Sequence, residues 1–355
     1  MSWFIDEPAA LTPVVAGSRS RAVGAGVDPF QYNEITAGLS SLRRWLPAFV
    51  AAGDEHARAA QDAESQDRTA TAQTSWRSAA ACWHIATTLP NPDTAAVHEA
   101  ARQASTGLSH YLRLRGDAIR LIPRAGAEPF RGELRLPNTY RGQAPPVAII
   151  VAGLDSARAE FLDLADALLV RGVAVAAIDG PGQGALIEHA PNPEYQRVVS
   201  SVLDSLPAHP TVDHARAAVI GLSLGGLYAL LAAAHDRRIT AVATVSGPYP
   251  FPRWEDLPPF ATDTLSLRAG SEAAATRLTE QLHNAAPTPG VAQPLLVVSG
   301  TADVLPSPEQ AGALSGAASH GQLVLVPGGD HLCGNVRWRW LETLADWASD
   351  QLRHQ

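Results

Sequence analysis

The 355-residue chain carries 27 Lys and Arg against 35 Asp and Glu, a formal net charge of −8, with 46% hydrophobic and 17% charged residues. No Lys/Arg cluster is present to neutralise a run of phosphates, which argues against a nucleic-acid partner, and apolar runs such as VAIIVAGL and LYALLAAA are too short to span a bilayer. Two cysteines, Cys82 and Cys333, cannot build a disulfide framework or a cysteine-based metal site, and residues 1–20 lack the basic start and apolar block of a secretory signal, so a cytoplasmic protein with no membrane partner is expected.

Residues 28–115 are Ala-rich and helically spaced. Trp76, Ala79, Trp83 and Ala86 recur at three- and four-residue intervals and share one predicted helix face, a core stripe rather than a ligand box. Pro90 and Pro92 end that helix, and Asp93 is placed to cap the next. From about residue 120 the texture changes. AIRLIP and GELRLP alternate like a hairpin. Six short apolar runs follow: PVAIIVAG, GVAVAAIDG, AAVIGLS, AVATVSG, PLLVVSG and QLVLVPGG, most of them separated by helical segments. This alternation predicts an α/β fold, a mostly parallel central sheet with helices on both faces. The division expected is a helical cap region over 1–118 and a catalytic domain over 119–355, with 248–290 as a lid-like excursion over the sheet edge.

In an open parallel sheet, ligands bind beyond the carboxyl ends of the strands. Ser223 stands there in GLSLG, after a buried strand and before an apolar helix, the context that a nucleophile elbow requires. Asp303 in SGTADVLPSP and His331 in GGDHLCGN follow two later strands, giving the chain order Ser, Asp, His. The predicted roles are nucleophile for Ser223, general base for His331 and orienting acid for Asp303, with Asp330 as the rival acid. Backbone N–H groups at Leu154, in VAGLDS, and at Leu224 are the candidate oxyanion donors. Cys333 is read as packing. DGPGQG at 179–184 lacks both the G-x-G-x-x-G spacing and the Lys-Ser/Thr ending of a P-loop, so it is read as a turn ordered by Asp179.

Together GLDSARAEFLDLADALLVRGVAVAAIDGPGQG, GLSLGGLYAL, SGTADVLPSP and GGDHLCGNVRWRWLETLADWASDQL resemble the α/β-hydrolase family that includes 2,6-dihydroxypseudooxynicotine hydrolase, fungal polyketide-shortening hydrolases and FrsA-like esterases. The resemblance covers roughly residues 120–352, and the helical 28–115 region matches the family's cap in position. It implies an α/β-hydrolase core closed by the cap, no cofactor, and cleavage of an ester or of a carbon–carbon bond beside a ketone in a small substrate. By family analogy it also implies a homodimer through the cap. Some members use an additional glutamate after the SGP segment; here Glu255 or Asp256 is the nearest match for such an auxiliary acid. Two alternatives stay open: an acetate-eliminating enzyme of tetronate polyketide tailoring, built on the same site, and a non-catalytic ligand-binding protein of the same fold.

Overall fold

The two hairpin segments and the six short apolar runs that follow them each become a strand in the computed structural model, which describes residues 3–138, 144–285 and 291–353. The strands are β1 (Ala118–Leu121), β2 (Arg131–Arg135), β3 (Pro146–Val151), β4 (Ala174–Asp179), β5 (Asp213–Leu222), β6 (Ile239–Val245), β7 (Leu295–Gly300) and β8 (Gly321–Val326). They form one sheet in the order β1-β2-β4-β3-β5-β6-β7-β8. The hairpin β1–β2 runs antiparallel at one edge, and β4 to β8 with β3 between them are parallel.

The unbroken apolar character of the central strands has a simple cause. Side chains alternate between faces along a strand, and here both faces are covered. Val147, Ile149 and Val151 of β3 join the core beneath α7 (Gln196–Ser205), α8 (Leu224–His235), α10 (Glu272–Asn284) and α11 (Pro308–Ala317). Ala148 and Ile150 join the opposite core, beneath α6 (Leu162–Leu169) and α12 (Leu341–Arg353).

Among the described residues, five α-helices lie ahead of the sheet: α1 (Leu11–Ala25), α2 (Pro29–Ala37), α3 (Trp45–Ser65), α4 (Thr69–Ala86) and α5 (Thr94–Arg115). The predicted stripe on α4 is buried, with Trp76, Trp83 and Ala79 packed against α5 and against Ala159 and Leu162 of the sheet half. Asp93 caps α5 by accepting from the Ala96 N–H. Two charged joints tie this helical region to the sheet. Arg158 is buried and donates to Glu133 at 2.8 Å, to Asp179 and to Ser105 of α5 at 2.9 Å. Arg135 donates to Asp117 at 2.9 Å and to Asp166 at 2.7 Å.

The 248–290 excursion holds α9 (Pro259–Ala269) and α10; its last residues, 286–290, lie outside those described. Among the described residues, no helix is long and apolar enough to cross a membrane.

Candidate active site

The turn from β5 into α8 is shaped by sterics. Ser223 sits at φ 54°, ψ −127°, a strained conformation for a residue with a side chain. A Cβ at Gly221 would lie 2.0 Å from the Gly225 carbonyl oxygen, and one at Gly225 would lie 2.3 Å from that of Val151. Both partners are backbone, so glycine is obligatory on each side of the serine. The turn leaves the Ser223 hydroxyl facing a cavity of about 430 Å³, within the range of small-molecule sites.

The ends of β7 and β8 bring Asp303 and His331 to that hydroxyl. Ser223 Oγ lies 2.9 Å from His331 Nε2, and His331 Nδ1 lies 3.1 and 3.2 Å from the two Asp303 carboxylate oxygens. Burial opposes ionisation of Asp303, but the hydrogen bond and charge of His331 outweigh it, helped by Ser246 and the Leu305 N–H, and hold the carboxyl below its ordinary range. A carboxylate only accepts, so the His331 proton belongs on Nδ1 and Nε2 is left to accept from the serine hydroxyl. Asp303 is fully buried at its side chain, whereas His331 is 43% exposed toward the cavity. The rival Asp330 lines the same cavity, but its carboxylate accepts from Ser20 Oγ at 3.2 Å while Asp303 takes the His331 Nδ1 position.

Leu154 and Leu224 line the same cavity. The Leu224 amide belongs to the first turn of α8, where N–H groups have no intrahelical acceptor and the helix dipole is positive. The loop carrying Leu154 is braced from the DGPGQG turn. Gln183 donates to the carbonyls of Ala152 at 2.6 Å and Gly153 at 2.9 Å, while its own oxygen accepts from Tyr195 and the Gly180 N–H. Asp179, fully buried, accepts from the Arg158 and Ala185 amides. Glu255 and Asp256 lie exposed on a short 3-10 turn, outside the cavity lining that holds Ser223. Cys333 is buried packing, its thiol pushed up to about 12 by desolvation.

Several contributors went unread in the sequence. Ser246 directly follows β6 at φ 52° and accepts from the Leu332 N–H at 2.8 Å, fixing the backbone next to His331. Arg21 of α1 donates to Asp155 at 2.5 Å, to the Asp155 carbonyl at 3.0 Å and to Glu160 at 2.8 and 2.9 Å. Glu160 also pairs with the buried His84 of α4 at 2.9 Å. Arg337, on the His331 loop, donates to the Gly24 carbonyl at 2.9 Å. Helix α1 therefore ties the Leu154 loop to the His331 loop. Among the described residues, no group of three or more His, Cys, Asp or Glu side chains is arranged to hold a metal ion.

The FrsA-like esterase family matches residues 45–281, two thirds of the chain. The chain belongs to that family. This FrsA-like chain is 30% identical over 230 residues to 2,6-dihydropseudooxynicotine hydrolase of Paenarthrobacter nicotinovorans, a match covering 63% of this chain and 62% of that protein. It is 37% identical over 138 residues to hydrolase LUC6 of a Fusarium species, covering 36% of this chain and 32% of LUC6. Its fold is that of the crystal structure of 2,6-dihydroxy-pseudo-oxynicotine hydrolase, at TM-score 0.82 and 23% identity over 94% of this chain and 95% of that one. AbyA5 has the same fold at TM-score 0.69 and 19% identity, over 97% and 99% of the two chains. Both sequence relatives are named hydrolases, and the fold is shared with a hydrolase of known structure.

Proposed function

We propose that this protein is a serine hydrolase that cleaves an ester in a small, largely apolar substrate, with Ser223, His331 and Asp303 as its triad. The reading is carried by one observation: the 2.9 Å contact between Ser223 Oγ and His331 Nε2 at the floor of a cavity walled by Phe251, Leu257, Phe260 and Leu305. The helices over 1–118 act as its cap and 248–290 as its lid. With Glu255 and Asp256 exposed away from the cavity, an ester is favoured over a carbon–carbon bond.

Ser223 Oγ bonds to the substrate carbonyl carbon as its proton passes to His331 Nε2. The carbonyl electron pair moves onto oxygen, where the Leu154 and Leu224 N–H groups stabilise it, each worth about 3 kcal/mol. Collapse breaks the bond to the leaving oxygen, which takes the proton from His331. Water then adds to the acyl-enzyme, gives its proton to His331, and releases the acid as Ser223 regains its own. Asp303 holds the imidazole tautomer throughout and stabilises the imidazolium.

Turnover of aryl acetates by wild type and Ser223→Ala tests the reading. Loss of about four or more orders of magnitude in kcat is expected; retention of most of the activity overturns it. Mass spectrometry of the products distinguishes hydrolysis, which leaves an alcohol, from acetate elimination, which leaves an alkene.

A further inference from the structure

Leu154 stands at the cavity with a backbone N–H that donates to no protein acceptor among the described residues. Such a group can meet an oxyanion only if it points at the cavity, and the peptide plane that carries it joins Gly153 to Leu154. Gly153 is required there by close packing. A Cβ would lie 2.9 Å from the Leu222 carbonyl oxygen and 3.0 Å from the Ser223 Cβ. Glycine also offers the least resistance to rotation of that plane. Turned over, the plane would present the Gly153 carbonyl oxygen in place of the N–H, and its dipole would repel an oxyanion.

Gln183 holds the plane from behind. It is 4% exposed, and its amide uses its full hydrogen-bonding capacity. Nε2 donates to the carbonyls of Ala152 at 2.6 Å and Gly153 at 2.9 Å, while Oε1 accepts from the Tyr195 hydroxyl at 2.6 Å and the Gly180 N–H at 3.0 Å. A backbone N–H only donates, so the atom facing Gly180 is the amide oxygen and the nitrogen is committed to the loop. Burial pushes the Tyr195 hydroxyl well above its ordinary range, so it stays protonated, and its ring is stacked on Tyr228 at 4.1 Å between centroids. The Gly153–Leu154 peptide is trans, and in a trans peptide the N–H is directed opposite to the C=O. With the carbonyl drawn to Gln183, the Leu154 N–H points away from it. The far side of the loop is held separately, where Arg21 donates to the Asp155 carbonyl at 3.0 Å.

We infer that Gln183 is the positioning residue of the oxyanion site: by holding the Ala152 and Gly153 carbonyls, it keeps the Leu154 N–H turned toward the cavity before substrate arrives. The inference deepens the proposed hydrolase reading, which supplies the oxyanion, and rests on it. It also gives the DGPGQG turn a part in the reaction, since that turn carries Gln183.

Phenyl acetate and its thiono analogue, O-phenyl thioacetate, test this in wild type, Gln183→Met and Tyr195→Phe, with rates normalised to active sites titrated by a fluorophosphonate. Methionine fills the glutamine volume and donates nothing. Sulfur accepts hydrogen bonds poorly, so the thionoester gains less from oriented donors than the ester does. Gln183→Met is expected to lose about tenfold to a hundredfold in kcat on phenyl acetate, part of what one oxyanion donor supplies, with KM within about twofold. Its ester-to-thionoester ratio of kcat/KM is expected to fall at least about fivefold. Tyr195→Phe, which frees one of the two bonds on the amide oxygen, should move kcat and the ratio in the same direction by about threefold. A folded Gln183→Met that matches wild type in both, or that loses stability or rate with the ratio unchanged, overturns the inference. If Gln183→Met does not fold, the ratio in Tyr195→Phe decides. Turnover independent of Ser223 sinks the hydrolase reading and the inference with it; Ser223-dependent turnover indifferent to Gln183 sinks the inference alone.

Discussion

The β5–α8 turn and helix α1 border one cavity, but different forces hold them there. The turn is fixed by sterics within five residues: glycines at 221 and 225 admit neighbouring backbone, and Ser223 takes the strained conformation between them. Helix α1 is fixed by charge across long stretches of chain, through Arg21 to Asp155 and Glu160 and through Gly24 to Arg337. Local sterics leave a sequence motif behind; distant ion pairs leave none. The same site is thus half rigid backbone and half electrostatic clamp, and the two halves respond to different perturbations.

The largest expected effect falls on the steric half. Gly225→Ala drives a Cβ into the Val151 and Ala152 carbonyls, at 2.3 and 2.6 Å, and backbone cannot yield as a side chain does. A loss of more than about 3 kcal/mol in denaturant unfolding, or no folded protein, is expected; a stable, active variant would break the comparison from that side. On the electrostatic half, Arg21→Ala leaves Asp155 and Glu160 without their cation, at a cost of about 3–5 kcal/mol. Arg21→Lys, with one point charge in place of a fork, is expected to recover part of that loss in the same unfolding measurement.

Acid should loosen the clamp before the turn. Burial raises the Glu160 pKa, but Arg21 and His84 outweigh it and bring the carboxyl from 4.5 down to about 2. A depressed folded pKa means the stabilisation is present above the unfolded value and fades as pH falls from about 4.5 toward 2. Thermal unfolding against pH should show that fall reduced in Glu160→Gln, while a difference unchanged by pH would detach Glu160 from the clamp. The smallest effect belongs to Glu255→Gln/Asp256→Asn, which removes two exposed carboxylates away from the cavity: stability within about 0.5 kcal/mol of wild type and an unaltered kcat/KM in ester hydrolysis.

The same contrast explains what could be read in advance. All eight strands were legible because a parallel sheet covered on both faces demands continuous apolar runs, and Ser223, Asp303 and His331 were legible because they stand where such strands end. Helix α1 was not. Its sequence, LTPVVAGSRSRAVGA, presents no apolar stripe, since part of its packed face is polar and meets carboxylates instead of a hydrophobic core. Ser246 was hidden for a similar reason: its role lies in a bond to the Leu332 N–H, 86 positions on, not in any local pattern. Where Glu255 and Asp256 stand was not legible, because proximity in sequence to the SGP segment does not fix which way a short 3-10 turn faces.

The central claim is that Ser223 is an activated nucleophile. Incubating the folded wild-type protein with a fluorophosphonate and locating the adduct by peptide mass spectrometry tests it most directly. The account predicts a single phosphonylated residue, Ser223, with labelling slowed by at least about a hundredfold in His331→Ala. Folded wild-type protein that stays unlabelled, or carries the adduct on another residue, would contradict it.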